Sequence, residues 1–105
     1  AMIEEGGARP GQGACAMVSF GMNYRAWLAA LACVGIETRR IRPQEWKRAV
    51  GVTADKRTSV KKAQELFPLY SKQFVGPHGG LLDGFAEAAL LAWLAQRTWK
   101  MEGRP

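Results

Sequence analysis

The pattern of apolar and polar positions changes period several times along the chain, and each change predicts an element. Residues 1–5 read as a short strand ending at Glu4 or Glu5. From Gly6 to Gly13, four glycines and Pro10 break any pattern and predict a loop. Ser19 to Val34 has helical spacing, with Tyr24, Trp27, Leu28, Leu31 and Val34 on one stripe and Gly35 suited to the C′ position. Ile36 to Ile41 alternates as a half-exposed strand does. Pro43 to Val50 suits a short helix with Pro43 in its first turn. Residues 51–55 read as a turn, and Thr53 or Asp55 could cap a basic amphipathic helix over Arg57–Leu66 that stops near Pro68. Gly76, Pro77, Gly79 and Gly80 predict a flexible loop over residues 71–82. A last helix is expected from Asp83 to about Trp99, with 100–105 as a flexible tail.

Strand, helix, strand and then helices imply an α/β arrangement. The length of 105 residues suits a single domain spanning 1–105. Two strands make a poor core by themselves. The opening Ala1-Met2-Ile3-Glu4 reads as an entry in mid-strand, so further strands of the sheet are expected upstream.

Charge sharpens the picture. Lys and Arg total 15 against 9 acids, giving +6, and residues 37–76 carry ten of the basic residues and four of the acids. Such a segment favours a polyanion, nucleic acid being the usual one, although a merely soluble basic surface has the same composition. Cys15 and Cys33 match no metal-ligand spacing and read as reduced thiols of a cytoplasmic protein. No apolar run is long enough to span a membrane. Ser19 and Ser59 have no His and acid partners in the pattern, so no hydrolase triad is expected; Gly11–Gly13 is too short and wrongly placed for a nucleotide-phosphate loop, and no small-molecule cofactor is expected. Trp27, Trp46 and Trp93 read as core anchors, whereas Trp99 is expected to stay partly exposed.

The candidate chemistry lies at the start of the last helix. Asp83 and Glu87 are spaced i and i+4 and so share a helical face, which Leu91 and Leu94 continue toward a core. Asp83 could simply be an N-cap. Glu87 is not explained that way, because the capping-box position holds Ala86. A carboxylate near a core is costly unless it is paired, hydrogen-bonded or bound to a metal. Two converging carboxylates suggest a hard cation such as Mg²⁺.

The order of motifs carries a resemblance. A strand ending in Ile3-Glu4 is followed by Pro10-Gly11-Gln12-Gly13, a helix, a strand and Pro43-x-x-Trp46-Lys47. Asp55-Lys56, Leu66-Phe67-Pro68 and Asp83-Gly84-x-Ala86-Glu87-Ala88-x-Leu90-Leu91-Ala92 then come in turn. Over nearly all of residues 3–97 this resembles the RuvC-type Holliday-junction resolvases of the ribonuclease H-like superfamily. The phage and chloroplast branch, with its Trp-Lys and Leu-Phe-Pro signatures, is the most similar.

The resemblance implies a ribonuclease H-like fold lacking its first strands, the chain being its C-terminal two-thirds. It implies a metal-dependent endonuclease that resolves four-way DNA junctions as a homodimer, in a bacterial, phage or organellar nucleoid. Glu4, Asp83 and Glu87 take the family's catalytic and metal-holding positions, for Mg²⁺ or Mn²⁺. Glu5 neighbours Glu4, but strand alternation turns it to the opposite face. Lys47 and Lys56 fall where the family's lysines approach the scissile phosphate, with Lys56 counted as catalytic. Gly11, Gln12 and Gly13 match a loop near the junction centre, and Arg57 extends the expected nucleic-acid contact. The family's first catalytic Asp lies on a strand ahead of Glu4, so this chain is expected to bind junctions better than it cuts them. A non-catalytic nucleic-acid-binding remnant is the alternative. Phe85 stands where many relatives carry Arg, which removes a positive charge beside the site.

Overall fold

The computed structural model describes residues 1–5 and 13–103, and, within these, side chains other than those of residues 14–21. The order is β1 (Met2–Glu4), α1 (Ala14–Cys33), β2 (Arg39–Ile41), α2 (Pro43–Val50), α3 (Lys56–Leu66), a 3₁₀ segment (Pro68–Phe74) and α4 (Asp83–Met101). The fold is mixed α/β and mostly helical, with a small two-stranded parallel sheet among the described residues. The chain divides into two compact units, Ala1–Pro43 and Gln44–Pro105.

In the first unit, β1 and β2 pair in parallel with Met2 opposite Arg39, Ile3 opposite Arg40 and Glu4 opposite Ile41. Parallel strands need a crossover, and α1 supplies it. The ladder extends at both ends, through Arg39 N–H to the Ala1 carbonyl at 2.9 Å and Glu5 N–H to the Ile41 carbonyl at 2.6 Å. Helix α1 begins five residues before the expected Ser19, at Ala14, because Ala14–Val18 contains no helix breaker. It ends as expected at Gly35, whose φ of +75° suits glycine. Ile36 N–H donates to the Leu31 carbonyl at 3.0 Å and Gly35 N–H to the Ala32 carbonyl at 3.1 Å, which is a Schellman closure. Ile36 is thereby used in the cap, so the second strand spans Arg39–Ile41 and not 36–41.

The expected stripe of α1 is only partly realised. Tyr24, Leu28 and Leu31 are half-buried, but Trp27 is 63% exposed and Val34 69% exposed. Trp27 is therefore not a core anchor.

The second unit holds every fully buried side chain among the described residues whose burial is given. These are Trp46, Val50, Val52, Ser59, Val60, Ala63, Phe74, Ala86 and Leu90. Helix α2 starts on Pro43, and Trp46 and Val50, spaced i and i+4, form its buried face. Glu45 in its first turn and Lys47 and Arg48 in its last complement the helix dipole. Asp55 is the N-cap of α3, its Oδ1 accepting from Arg57 N–H at 3.0 Å. Helix α3 buries Ser59, Val60 and Ala63 and packs against both α4 and the 3₁₀ segment.

Residues 71–82, expected as a flexible loop, are more ordered than that. The 3₁₀ segment occupies Pro68–Phe74, and Val75 bridges Leu81 in antiparallel fashion. Gly76 N–H donates to the Gly80 carbonyl at 2.6 Å and Leu82 N–H to the Phe74 carbonyl at 2.9 Å. Gly79, at φ +81°, makes the reversal possible. The glycines serve a tight turn here, and the turn delivers Leu82 and Asp83 beside Phe74.

Helix α4 continues past Trp99 to Met101, so residues 100–101 are helical and not tail. Its fully buried positions are Ala86 and Leu90. Leu91 and Leu94 are half-buried. The centre of the buried face thus lies one residue ahead of the expected Glu87–Leu91–Leu94 line, and Glu87 sits on its flank. No described helix is long and apolar enough to cross a membrane.

Candidate functional site

The site is built around the first turn of α4. Asp83 is the first helical residue, following an N-cap at Leu82, so it is not itself the cap. A carboxylate there still faces the positive end of the helix dipole. Its side chain is 32% exposed and its Oδ2 lies 3.6 Å from Lys56 Nζ. Lys56 comes from the first turn of α3, and the packing of α3 against α4 brings the two groups together. Glu87, one turn further along α4, is half-buried and has an interaction partner.

Lys56 is 71% exposed, so the Lys56–Asp83 contact is an exposed ion pair. Such pairs contribute about 0–1 kcal/mol. Lys56 can therefore release Asp83 to a competing cation at small cost.

Arg57, next to Lys56, turns instead to Asp55. Its Nη2 lies 2.8 Å from Asp55 Oδ2, and its Nε donates to both carboxylate oxygens at 3.2 Å. The Arg57 side-chain hydrogen bond, aided by the backbone one, holds the Asp55 carboxyl below its ordinary range. The same pair raises Arg57 above its usual value. Arg57 thus serves the cap of α3 as well as being 81% exposed. Lys47 is half-buried, with its Nζ 5.7 Å from the Trp46 ring centroid in a cation–π contact.

Glu4 lies at the C-terminal end of β1, half-buried and with an interaction partner. Glu5 is exposed, with Oε2 3.9 Å from Arg42 Nε. Arg39 reaches Glu37 at 3.9 Å. Arg39 within β2 and Arg42 just after it are therefore engaged by acids of their own unit. Gly13 is the exposed N-cap of α1. Gly11 and Gln12 lie outside the described residues.

No family model matches this chain, and no curated protein matches it. The chemistry therefore rests on the residues themselves. Among the described residues no group of three or more His, Cys, Asp or Glu side chains is arranged to hold a metal ion. Asp83 and Glu87 stand one turn apart on α4, the spacing at which two side chains share a helix face.

Sequence reasoning missed the apolar surroundings of this site. A recess of about 570 Å³ opens beside it, lined by Gln73, Leu81, Leu82, Asp83, Gly84 and Phe85. Leu81, Leu82 and Phe85 are 41%, 44% and 53% exposed. The signal was present as three large apolar residues packed around Asp83-Gly84. A reading centred on helical stripes passes over it, because Leu81 and Leu82 precede the helix.

Proposed function

We propose that the chain has a ribonuclease H-like fold of the RuvC type and belongs to a metal-dependent, structure-selective DNA endonuclease that acts on four-way junctions as a homodimer. The observation that carries this reading is the 3.6 Å contact between Lys56 and Asp83. The resemblance assigns the Lys of Asp55-Lys56 to the scissile phosphate and the first carboxylate of the last helix to the metal. Two motifs distant in sequence thus meet at one place. The parallel β1–α1–β2 unit, with Glu4 at the end of its first strand, supports the same reading.

Asp83 and Glu87 would hold Mg²⁺ or Mn²⁺ from one turn of α4, and Glu4 keeps the metal-holding role that the resemblance implies for it. One bound ion would supply an activated water and a second would stabilise the leaving oxygen. Lys56, already beside Asp83, offsets phosphate charge as DNA enters. Lys47 and the other basic residues of 37–76 attract the backbone. Gly11, Gln12 and Gly13 remain assigned to nucleic acid by the resemblance, and Arg57 extends that contact.

A second reading, junction binding without cleavage, is favoured by one observation. Asp83 already has a cationic partner in Lys56.

Mn²⁺ binding, followed by electron paramagnetic resonance, tests the metal assignment. Asp83→Asn and Glu87→Gln are each expected to weaken it at least about tenfold, a loss of about 1.4 kcal/mol. Lys56→Ala is expected to strengthen it in the absence of DNA, by freeing Asp83. Unchanged Mn²⁺ affinity in both carboxylate variants would remove the metal site and leave only the binding reading.

A further inference from the structure

The two consecutive cations at the start of α3 are each held by a carboxylate. Lys56 reaches Asp83 on α4, with its Nζ 3.6 Å from Oδ2. Arg57 folds back on Asp55, the N-cap of its own helix, through Nη2 at 2.8 Å from Oδ2 and Nε at 3.2 Å from both oxygens. A guanidinium edge offers two donors in a fixed fork, and a carboxylate and a phosphate fit that fork alike. The Nε–Nη2 edge of Arg57 is thus filled by an anion of the chain itself.

The acid is the fixed member of this pair. Asp55 N–H donates to Thr53 Oγ1 at 3.2 Å, and its carbonyl accepts from Thr58 Oγ1 at 2.6 Å and from Thr58 N–H at 3.0 Å. The cap bond from Arg57 N–H to Asp55 Oδ1, at 3.0 Å, does not involve the Arg57 side chain. That side chain, exposed and on a long stem, can leave without loosening the cap. Arg57 and Lys61, spaced i and i+4, share one exposed face of α3. A polyanion lying along this face meets both.

We propose that Asp55 is an internal competitor for DNA phosphate: its carboxylate holds the guanidinium of Arg57 until a backbone phosphate takes that place, and it weakens the grip of α3 on DNA. The proposal rests on the nucleic-acid reading above and deepens it by assigning a residue that restrains binding at the same site. Asp55 serves the fold and the restraint through different properties. The cap needs one hydrogen-bond acceptor, which Asn and Ser supply at this position about as well as Asp. The restraint needs the negative charge and the second carboxylate oxygen, which Asn and Ser lack. The two roles are therefore separable by substitution.

A labelled four-way DNA junction, followed by fluorescence anisotropy at one low salt concentration, is the probe. It is titrated with the parent protein, with Asp55→Asn, with Arg57→Gln and with the double variant. Asp55→Asn is expected to bind about three- to fivefold tighter than the parent protein, the upper end of what release of an exposed ion pair provides. In the Arg57→Gln background the same substitution is expected to change affinity by less than about twofold, because no guanidinium is left to release. Asp55→Ser is expected to repeat the gain of Asp55→Asn. Far-UV circular dichroism and urea denaturation check that each variant keeps the fold.

Equal or weaker binding by folded Asp55→Asn and Asp55→Ser would overturn the competition while leaving the nucleic-acid reading intact. An equal gain with and without Arg57 would overturn it as well, since Asp55 would then act only as one negative charge near the DNA. A gain that depends on Arg57 establishes the competition. Failure of the parent protein and of Asp55→Asn to bind the junction would overturn the nucleic-acid reading and the competition together.

Discussion

Ser59 lies at 0% exposure on α3, and its hydroxyl has no hydrogen-bond partner among the described residues. A buried, unsatisfied hydroxyl costs free energy, and replacing it with a methyl of similar shape removes the cost. Ser59→Ala is expected to leave the fold intact and raise its stability by up to about 1 kcal/mol, read by urea denaturation. A loss of similar size would show that the hydroxyl is satisfied in solution. Asp55 behaves in the opposite way. Its folded pKa is depressed, first by the Arg57 side-chain hydrogen bond and then by the backbone one at the α3 cap. Its contribution is therefore present above the ordinary value of 3.8 and is lost as pH falls through the depressed folded value. Asp55→Ala should destabilise the protein near neutral pH and narrow its difference from the parent protein as the pH falls below 3.8. A difference constant with pH would contradict the cap. Both candidate carboxylates of α4 were legible as residues, because i and i+4 spacing fixes a shared face. The partner of Asp83 was not, since only the packing of α3 on α4 brings Lys56 within 3.6 Å.

Element by element, the helices were most legible, because their periods are long and their breakers clear. Gly35, Pro43 and Asp55 end or begin helices as their chemistry requires. Residues 71–82 were misread because glycine was taken as flexibility, when Gly79 at φ +81° supports a fixed reversal bridged by Val75 and Leu81. The buried line of α4 was misplaced by one residue because Ala86, small and easily discounted in a stripe, faces the core at 0% exposure. Trp27 was misassigned by the opposite error, size being read as burial. Leu90, fully buried on α4, is the stronger test of this helix's packing. Leu90→Ala is expected to cost about 2–5 kcal/mol, against a near-neutral result at the half-buried flank of the same helix, Leu91→Met. A cost below about 1 kcal/mol for Leu90→Ala would mean that α4 is not packed through this face.

At the scale of the whole molecule, the net charge of +6 and its concentration in residues 37–76 support the proposed binding to a polyanion, and the resemblance adds the proposed preference for branched DNA. Phosphate contacts release counterions, so affinity should fall steeply with salt. Some of the basic groups are already committed, Arg57 to Asp55 and Arg42 to Glu5, so the slope should reflect fewer contacts than the ten basic residues of that segment. The most direct measurement is fluorescence anisotropy of a labelled four-way junction and of a duplex with the same arm sequence, titrated with the protein at several salt concentrations. The junction is expected to bind at least about tenfold tighter, a preference of about 1.4 kcal/mol. Combining Lys47→Ala with Lys56→Ala should reduce the salt slope by about two, one for each lost phosphate contact. Equal affinity for junction and duplex, or a binding constant that does not move with salt, would contradict the account.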